Sequence, residues 1–196
     1  NKGNGLAPVT STAPNNPAAG DMWFDTTTGT TAMKVWSGAA WDQMSNKFTA
    51  TGGTESTYSS GGINYKVHTF TSSGTFTAES SGSVDVLVVA GGGAGGGGDV
   101  GAGGGAGGFK YYQGYTVSAQ SYTTTIGGGG TGDNSQTLDC TDNGENSLFG
   151  SLIATGGGAA GSWSTAVTAC SGGSGGGNGS LNQAAGGAGI TNQGNS

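Results

Sequence analysis

The sequence predicts an all-β protein in which strands alternate with polyglycine II helices that pack as a bundle, preceded by a small N-terminal β-meander. Three observations predict this fold. Short strand-like apolar runs recur along the chain, glycine blocks separate these runs, and no stretch has the 3.6-residue periodicity of a helix. Glycine supplies 46 of the 196 residues and proline only 3, which excludes collagen. Regular alternation of glycine blocks with strand-like runs also argues against plain disorder.

The N-terminal part predicts a linker followed by a small module. Residues 1–19 contain all three prolines and are expected to be an extended linker. Residues 20–47 are expected to form a Trp-rich meander. Its predicted strands are Met22–Asp25, Met33–Trp36 and Ala40–Met44. Trp23, Trp36 and Trp41 are expected to form a mini-core or a self-association face, and the alternative is a platform that stacks on sugars.

The rest of the chain predicts one larger domain. Residues 48–62 are polar and are expected to be a second linker, and residues 63–196 are expected to form the glycine-rich domain. Apolar and polar residues alternate in 63–70, so one face of that strand is expected to be buried. The run at 83–90 is apolar on nearly both sides and predicts a central strand. Further strands are predicted at 75–77, 109–117, 121–126 and 147–154.

The glycine blocks predict polyglycine II helices and not a nucleotide-binding turn. Gly91, Gly93 and Gly96 follow a strand and spell GxGxxG, but glycines continue to Gly108 and leave no residues with which to start a helix. A polyproline II helix has three residues per turn and no internal hydrogen bonds, so such segments must bond to one another. The blocks are 91–108, 127–132, 156–161, 171–179 and 186–189.

The order of these motifs resembles the glycine-rich domain of bacteriophage tail-fibre proteins. The resemblance rests on HTFTSSGTFTAESSGSVDVLVVAGGGAGGGG, GGAGGFKYYQGYTVSAQSYTTTIGGGG and ENSLFGSLIATGGG. PAAGDMWFDTTTGTTAMKVWSGAAWDQM is similar to a short repeat of the same proteins. A related plan is known from the glycine-rich region of anaplastic lymphoma kinase, so the resemblance implies a β-sandwich with inserted polyglycine II helices packed as a bundle. Family members usually end in a closing apolar strand, so a chain that begins at Asn1 and ends in GITNQGNS is expected to be a fragment or to complete its sandwich differently.

The resemblance implies a virion tail-fibre segment, located outside the cell, that recognises the bacterial surface through loops at the ends of the bundle. The candidate receptor-binding residues are Asp99, Val100, Asp133, Asn134, Trp163 and Asn178. For Trp163, capping of the bundle edge is an equal alternative. The expected partners are other virion proteins, a surface glycan or outer-membrane protein, and further copies of the chain, with a trimer favoured. The alternative function is a purely structural fibre, spike or filament subunit without a receptor.

Composition argues against several other functions. A net charge of −6 without any arginine argues against binding to nucleic acid or anionic membranes. The apolar runs are strand-sized, so no membrane insertion is expected. His68, the one histidine, lies in a strand pattern, and no convincing pair of carboxylates is present. Neither an enzymatic activity nor a cofactor is therefore expected.

The cysteines and the acidic segment leave alternatives open. Cys140 and Cys170 lack metal-ligand spacing, and they are either a disulfide or two free thiols. The acidic residues cluster in 133–145, where Asp142 opens an Asp-Asn-Gly sequence that predicts a solvated turn. An irregular calcium site is the alternative, and its ligands would be Asp139, Asp142 and Glu145. The preferred reading has no metal.

Overall fold

The structure is a computed structural model with two units, residues 1–47 and 48–196. It describes residues 7–28, 31–44, 48–97, 101–132, 140–161, 168–179 and 185–195. Within these ranges the regular elements are β-strands and one short 3-10 turn, Cys140–Asp142. The predicted all-β class is therefore confirmed.

The N-terminal unit is a four-stranded sheet. Its strands, in spatial order, are β1 (Val9–Thr10), β2 (Met22–Asp25), β3 (Ala32–Trp36) and β4 (Trp41–Gln43). Part of the expected linker 1–19 is therefore a strand, since β1 pairs in parallel with β2 and the Trp23 indole N–H donates to the Thr10 carbonyl at 3.0 Å. Trp23 is 4% exposed. Its ring lies 5.5 Å from that of Trp41, which lies 5.6 Å from that of Trp36, so the three rings pack edge to face.

The glycine-rich unit contains three sheets. A five-stranded sheet has the order β13 (Leu152–Ala154), β12 (Ser147–Phe149), β11 (Ser121–Thr125), β8 (Gly74–Ala78) and β5 (Ala50–Thr51). The two-stranded sheets are β9 (Gly82–Val89) with β10 (Phe109–Val117), and β6 (Thr54–Ser60) with β7 (Ile63–Thr69). The prediction that 48–62 is a linker is wrong, because this segment supplies β5 and β6. A polar strand held by a backbone ladder carries no apolar alternation to reveal it.

The core lies between the five-stranded sheet and the β9–β10 pair. Val88 of β9 and the fully buried Val117 of β10 form one cluster with Phe76, Phe149 and Ala154 of the other sheet. The Phe76 and Phe149 rings meet edge to face at 5.6 Å. The two sheets thus form the layers of a sandwich, and the glycine segments leave this sandwich at the ends of β9, β11 and β13.

Hydrogen bonds between the glycine segments recur every third residue. The backbone N–H groups of Ala90, Gly93 and Gly96 donate to the carbonyls of Gly108, Gly105 and Ala102, in that order. On another side of the same segment, Gly91 and Ala94 donate to Glu145 and Asp142. Three residues is also the helical repeat of polyproline II. The spacing agrees with the predicted polyglycine II helices, which themselves stay a prediction.

Close approach between the segments explains much of the glycine content. A Cβ atom on Gly157 would overlap the Gly105 carbonyl, and one on Gly104 would overlap the Gly93 carbonyl. By contrast, a Cβ atom on Gly103 would meet nothing within 4 Å. In the glycine segments of the bundle, the described glycines have no positive φ angle. It is space, therefore, and not backbone conformation that excludes a side chain at the crowded positions.

Candidate functional site

Separate glycine segments come together at one end of the bundle, the distal end, which lies away from the sandwich. The Gly161 N–H donates to the Gly177 carbonyl at 2.8 Å. A Cβ atom on Gly96 would lie 3.1 Å from the Gly161 carbonyl oxygen. A Cβ atom on Gly132 would lie 3.6 Å from the Gly95 carbonyl oxygen. Four stretches of chain, ending near residues 97, 132, 161 and 179, are therefore neighbours at the distal end.

The predicted receptor-binding residues follow these four chain ends in sequence. Asp99, Val100, Asp133, Asn134 and Trp163 lie outside the described residues. Asn178 is described; it is half-buried and follows Gly177, whose N–H donates to the Gly103 carbonyl at 2.8 Å. The structure thus brings together the residues that flank the predicted loops. The roles of the loop residues stay predictions.

The acidic segment at 140–146 lies within the bundle. Gly144 donates its N–H to the Gly157 carbonyl at 2.9 Å, and the Asn143 side chain accepts from the Ala159 N–H at 2.7 Å. The prediction of a solvated Asp-Asn-Gly turn is therefore wrong, because the backbone of this segment bonds to its neighbours. Across the described residues, no three His, Cys, Asp or Glu side chains form a metal-binding group. Asp139, the first candidate calcium ligand, lies outside that part of the chain.

A disulfide joins Cys140 to Cys170, with the Cα atoms 5.5 Å apart. Cys170 is only 2% exposed and packs with Ala94 and Ala159 in a second small core inside the bundle. Its N–H donates to the Ala159 carbonyl at 3.0 Å, and its carbonyl accepts from the Gly176 N–H at 3.0 Å. The disulfide therefore fixes the segment that follows residues 133–139 to the interior of the bundle, close to the distal end.

A second surface is apolar and exposed. It consists of Leu87 (63% exposed), Val89 (53%), Phe109 (55%) and Tyr111 (58%), and we call it the outer face of β9–β10. Val89 pairs directly with Phe109, and Leu87 pairs with Tyr111, so the four side chains share one side of the pair. The prediction that the 83–90 strand is central is wrong, since β9 belongs to a two-stranded sheet with β10 and one of its sides faces solvent. The sequence signal for this surface was the presence of apolar residues on both sides of the strand.

The hairpin β6–β7 carries a second group of exposed apolar side chains. Tyr58 and Tyr65 are a cross-strand pair whose rings stack at 4.8 Å. Desolvation first, and then the charge of Asp85, raise the pKa of Tyr111, and Tyr58 and Tyr65 contribute to the same shift. The predicted burial of one face of residues 63–70 is wrong at Ile63, which is exposed.

The pocket beside the hairpin carries no ionisable group. It has a volume of about 290 Å³ and is lined by residues 53–54 and 69–75, which are glycine, threonine, serine and Phe70. Nearby, the His68 ring hydrogen-bonds the Gly52 carbonyl through Nδ1 at 2.8 Å and meets Phe76 edge to face at 5.3 Å. These contacts hold His68 in the packing of the sandwich. The described residues contain no helix long and apolar enough to span a membrane.

Comparison with known proteins identifies the larger unit. No curated protein and no solved structure matches the chain. One protein family, described as a glycine-rich domain, matches residues 69–196, from the end of β7 through the bundle. This match covers about two thirds of the sequence and includes the β9–β10 pair and the glycine segments. The chain therefore belongs to the glycine-rich domain family.

Proposed function

We propose that this chain is a segment of a bacteriophage tail fibre and that it attaches to the bacterial surface through the loops at the distal end of the bundle. One observation carries the proposal: four segments that are far apart in sequence end side by side, as Gly161, Gly177 and Gly96 demonstrate. Hydrogen bonds of the bundle hold the chain ends from which the loops begin. Pre-organisation of this kind lowers the conformational entropy lost on binding and so favours affinity.

The composition of the four loops suits an uncharged or weakly charged partner. Together they contain aspartate, asparagine, serine, threonine and glutamine but no lysine or arginine. Trp163 adds a large amphipathic ring that can stack on a sugar or fill a pocket of a receptor protein. A surface glycan or an outer-membrane protein therefore fits these loops better than a polyanion does.

A purely structural role is the second candidate, and the outer face of β9–β10 favours it. Exposed apolar surface of this kind marks a contact with another protein. In this alternative the chain is a fibre, spike or filament subunit whose distal loops bind no receptor. The two functions differ in one measurable property, which is binding to isolated bacterial envelopes.

The test is co-sedimentation of the purified chain with envelopes from a panel of candidate hosts. Trp163→Ala and the double variant Asp133→Ala/Asn134→Ala are compared with Asn64→Ala, a control at an exposed position near the start of β7. We expect the distal variants to lose binding while the control and the circular dichroism spectra stay unchanged. If the correctly folded wild type binds no envelope, the attachment proposal is wrong and the structural role is favoured. Release of reducing sugar from the envelopes would instead indicate a depolymerase.

A further inference from the structure

The apolar surface of the glycine-rich unit is larger than the outer face of β9–β10 alone. Along β6–β7, Ile63, Tyr65 and Val67 point to one side, and Tyr58 stacks on Tyr65 on that same side. We call this side of the hairpin the apolar side of the arm. We refer to the outer face and the apolar side of the arm together as the apolar stripe.

Both parts of this stripe have a sequence pattern that demands burial. The alternation of Ile63, Tyr65 and Val67 with polar residues is typical of a strand with one covered side. Leu87 and Val89, between the core residues of β9, are typical of a strand covered on both sides. A single chain leaves both parts incompletely covered. The four residues of the outer face are more than half exposed, and so are Tyr58 and Ile63 of the arm, while Tyr65 and Val67 are half-buried.

The stripe is nearly uncharged. Asp85 is the carboxylate beside it, and its oxygens accept hydrogen bonds from the Gly114 N–H at 2.9 Å and the Tyr111 hydroxyl at 3.5 Å. The ion pair between Lys66 and Glu55 lies on the other side of the arm, since these residues alternate with Tyr65 and Ser56. Two copies of a chain with net charge −6 repel each other, and an uncharged stripe is where they can meet at least electrostatic cost.

The area of the stripe is close to that of a stable protein interface. Large side chains bury roughly 150–250 Å² each, so four that are more than half exposed leave on the order of 400 Å² on the outer face. The arm adds Tyr58, Ile63 and part of Tyr65, which brings the total to on the order of 600 Å². A standard interface buries about 800 Å² per partner, and that area includes a polar rim as well.

The geometry points to a subunit interface: the outer face of β9–β10 and the apolar side of the arm are covered by a second copy of this chain. Each copy carries two exposed apolar surfaces on two-stranded sheets, so a second copy supplies apolar surface to cover each of them. This inference does not depend on host attachment. A chain that assembles through the stripe would do so whether or not its distal loops bind an envelope.

The test measures the mass of the purified full chain in solution by light scattering after size exclusion, from about 1 to 100 µM. One chain has a mass of 18.7 kDa, and we expect the wild type at a multiple of that value. The variant Leu87→Ser/Phe109→Ser is expected to associate at least roughly 100-fold more weakly and to run as a single chain. Ile153→Ser, which changes an exposed side chain on β13, is the matched control and is expected to assemble like the wild type.

A second measurement keeps the test decisive if the double variant fails to fold. Hydroxyl-radical labelling of the wild type is expected to modify Phe109 and Tyr111 less at assembling concentrations than after dilution, with no change at Ile153. A wild type that stays at 18.7 kDa throughout would overturn the inference. So would an assembled wild type in which Phe109 and Tyr111 are labelled as fast as in the diluted chain, or a folded double variant that assembles normally.

Discussion

Two adjacent glycines give the sharpest test of how the bundle is packed. Gly103 and Gly104 occupy the same segment and both have ordinary backbone angles. A Cβ atom on Gly104 would overlap the Gly93 carbonyl and crowd that of Ala94, and both obstacles are backbone. A Cβ atom on Gly103 would meet nothing within 4 Å. We therefore expect Gly104→Ala to destabilise the unit and Gly103→Ala to be tolerated.

The expected size of the effect follows from the contacts around Gly104. Overpacking a well-packed interior costs about 1–3 kcal/mol. Relief of the overlap moves the segment away from Gly93 and strains the bonds that Gly105 makes as acceptor from Gly93 and as donor to Gly158, each 2.8 Å long and worth about 1 kcal/mol. The total loss is about 2–4 kcal/mol. Gly103→Ala removes backbone freedom from the unfolded chain, so it is expected to stabilise by about 0.4–1 kcal/mol.

Thermal unfolding followed by circular dichroism measures both variants. At about 2–4 °C per kcal/mol for a unit of this size, Gly104→Ala is expected to lower the unfolding temperature by about 4–16 °C, and Gly103→Ala to leave it unchanged or raise it slightly. Equal unfolding temperatures for the two variants would refute the reasoning, because the position of the neighbouring backbone would then not decide which glycines are required.

Three further predictions concern the disulfide and the N-terminal unit. The Cys140–Cys170 disulfide closes a 30-residue loop, so its reduction is expected to lower the free energy of unfolding, measured by chemical denaturation, by about 3–4 kcal/mol. An unchanged free energy of unfolding would contradict this. Trp23→Ala is expected to cost about 3–5 kcal/mol and to abolish the near-UV signal of the N-terminal sheet; retention of that signal would contradict a core role. Hydrogen bonds from Lys34 and then from Thr27 lower the pKa of Asp25 to about 2, so its stabilising effect is present above about pH 4 and is lost as the pH falls towards 2. Lys34→Met should shift acid unfolding of that sheet to higher pH, and an unshifted midpoint would contradict this.

The strands of the sandwich were largely predictable because their sequences carry local signals. Apolar alternation and turn residues predicted β9 to β13 within a few residues. β6 was missed because its ladder with β7 is formed by serine, threonine and glutamate, with Tyr58 as its one large ring. β1 was missed because a proline-rich segment predicts an extended linker, and an extended linker needs only a neighbouring strand to become part of a sheet.

The neighbours of each glycine segment could not be predicted from sequence. The bond between Gly177 and Gly103 joins residues 74 positions apart, and nothing local to either residue specifies it. For the same reason, the sequence does not distinguish Gly104, which must be glycine, from Gly103, which need not be. For the outer face, the sequence predicted one property and not another. Apolar side chains on both sides of β9 indicated that both sides are buried, but they did not indicate which surface packs against the outer side.

The two proposed surfaces suit one another because the bundle separates them. Val89 is the last residue of β9 and Phe109 is the first residue of β10. The bundle begins beside them, where the Ala90 N–H donates to the Gly108 carbonyl at 2.9 Å. With the rise of about 3.1 Å per residue of the predicted polyglycine II helix, Ala90 and Gly96 are about 19 Å apart, so the proposed interface at the outer face lies away from the distal end. Copies that assemble there present several sets of loops at once. Linked sites can raise avidity by about 10²–10⁴ without any new contact, provided that they reach their targets together. A rigid bundle on an assembled base meets that condition better than a flexible tether, and assembly would therefore strengthen attachment.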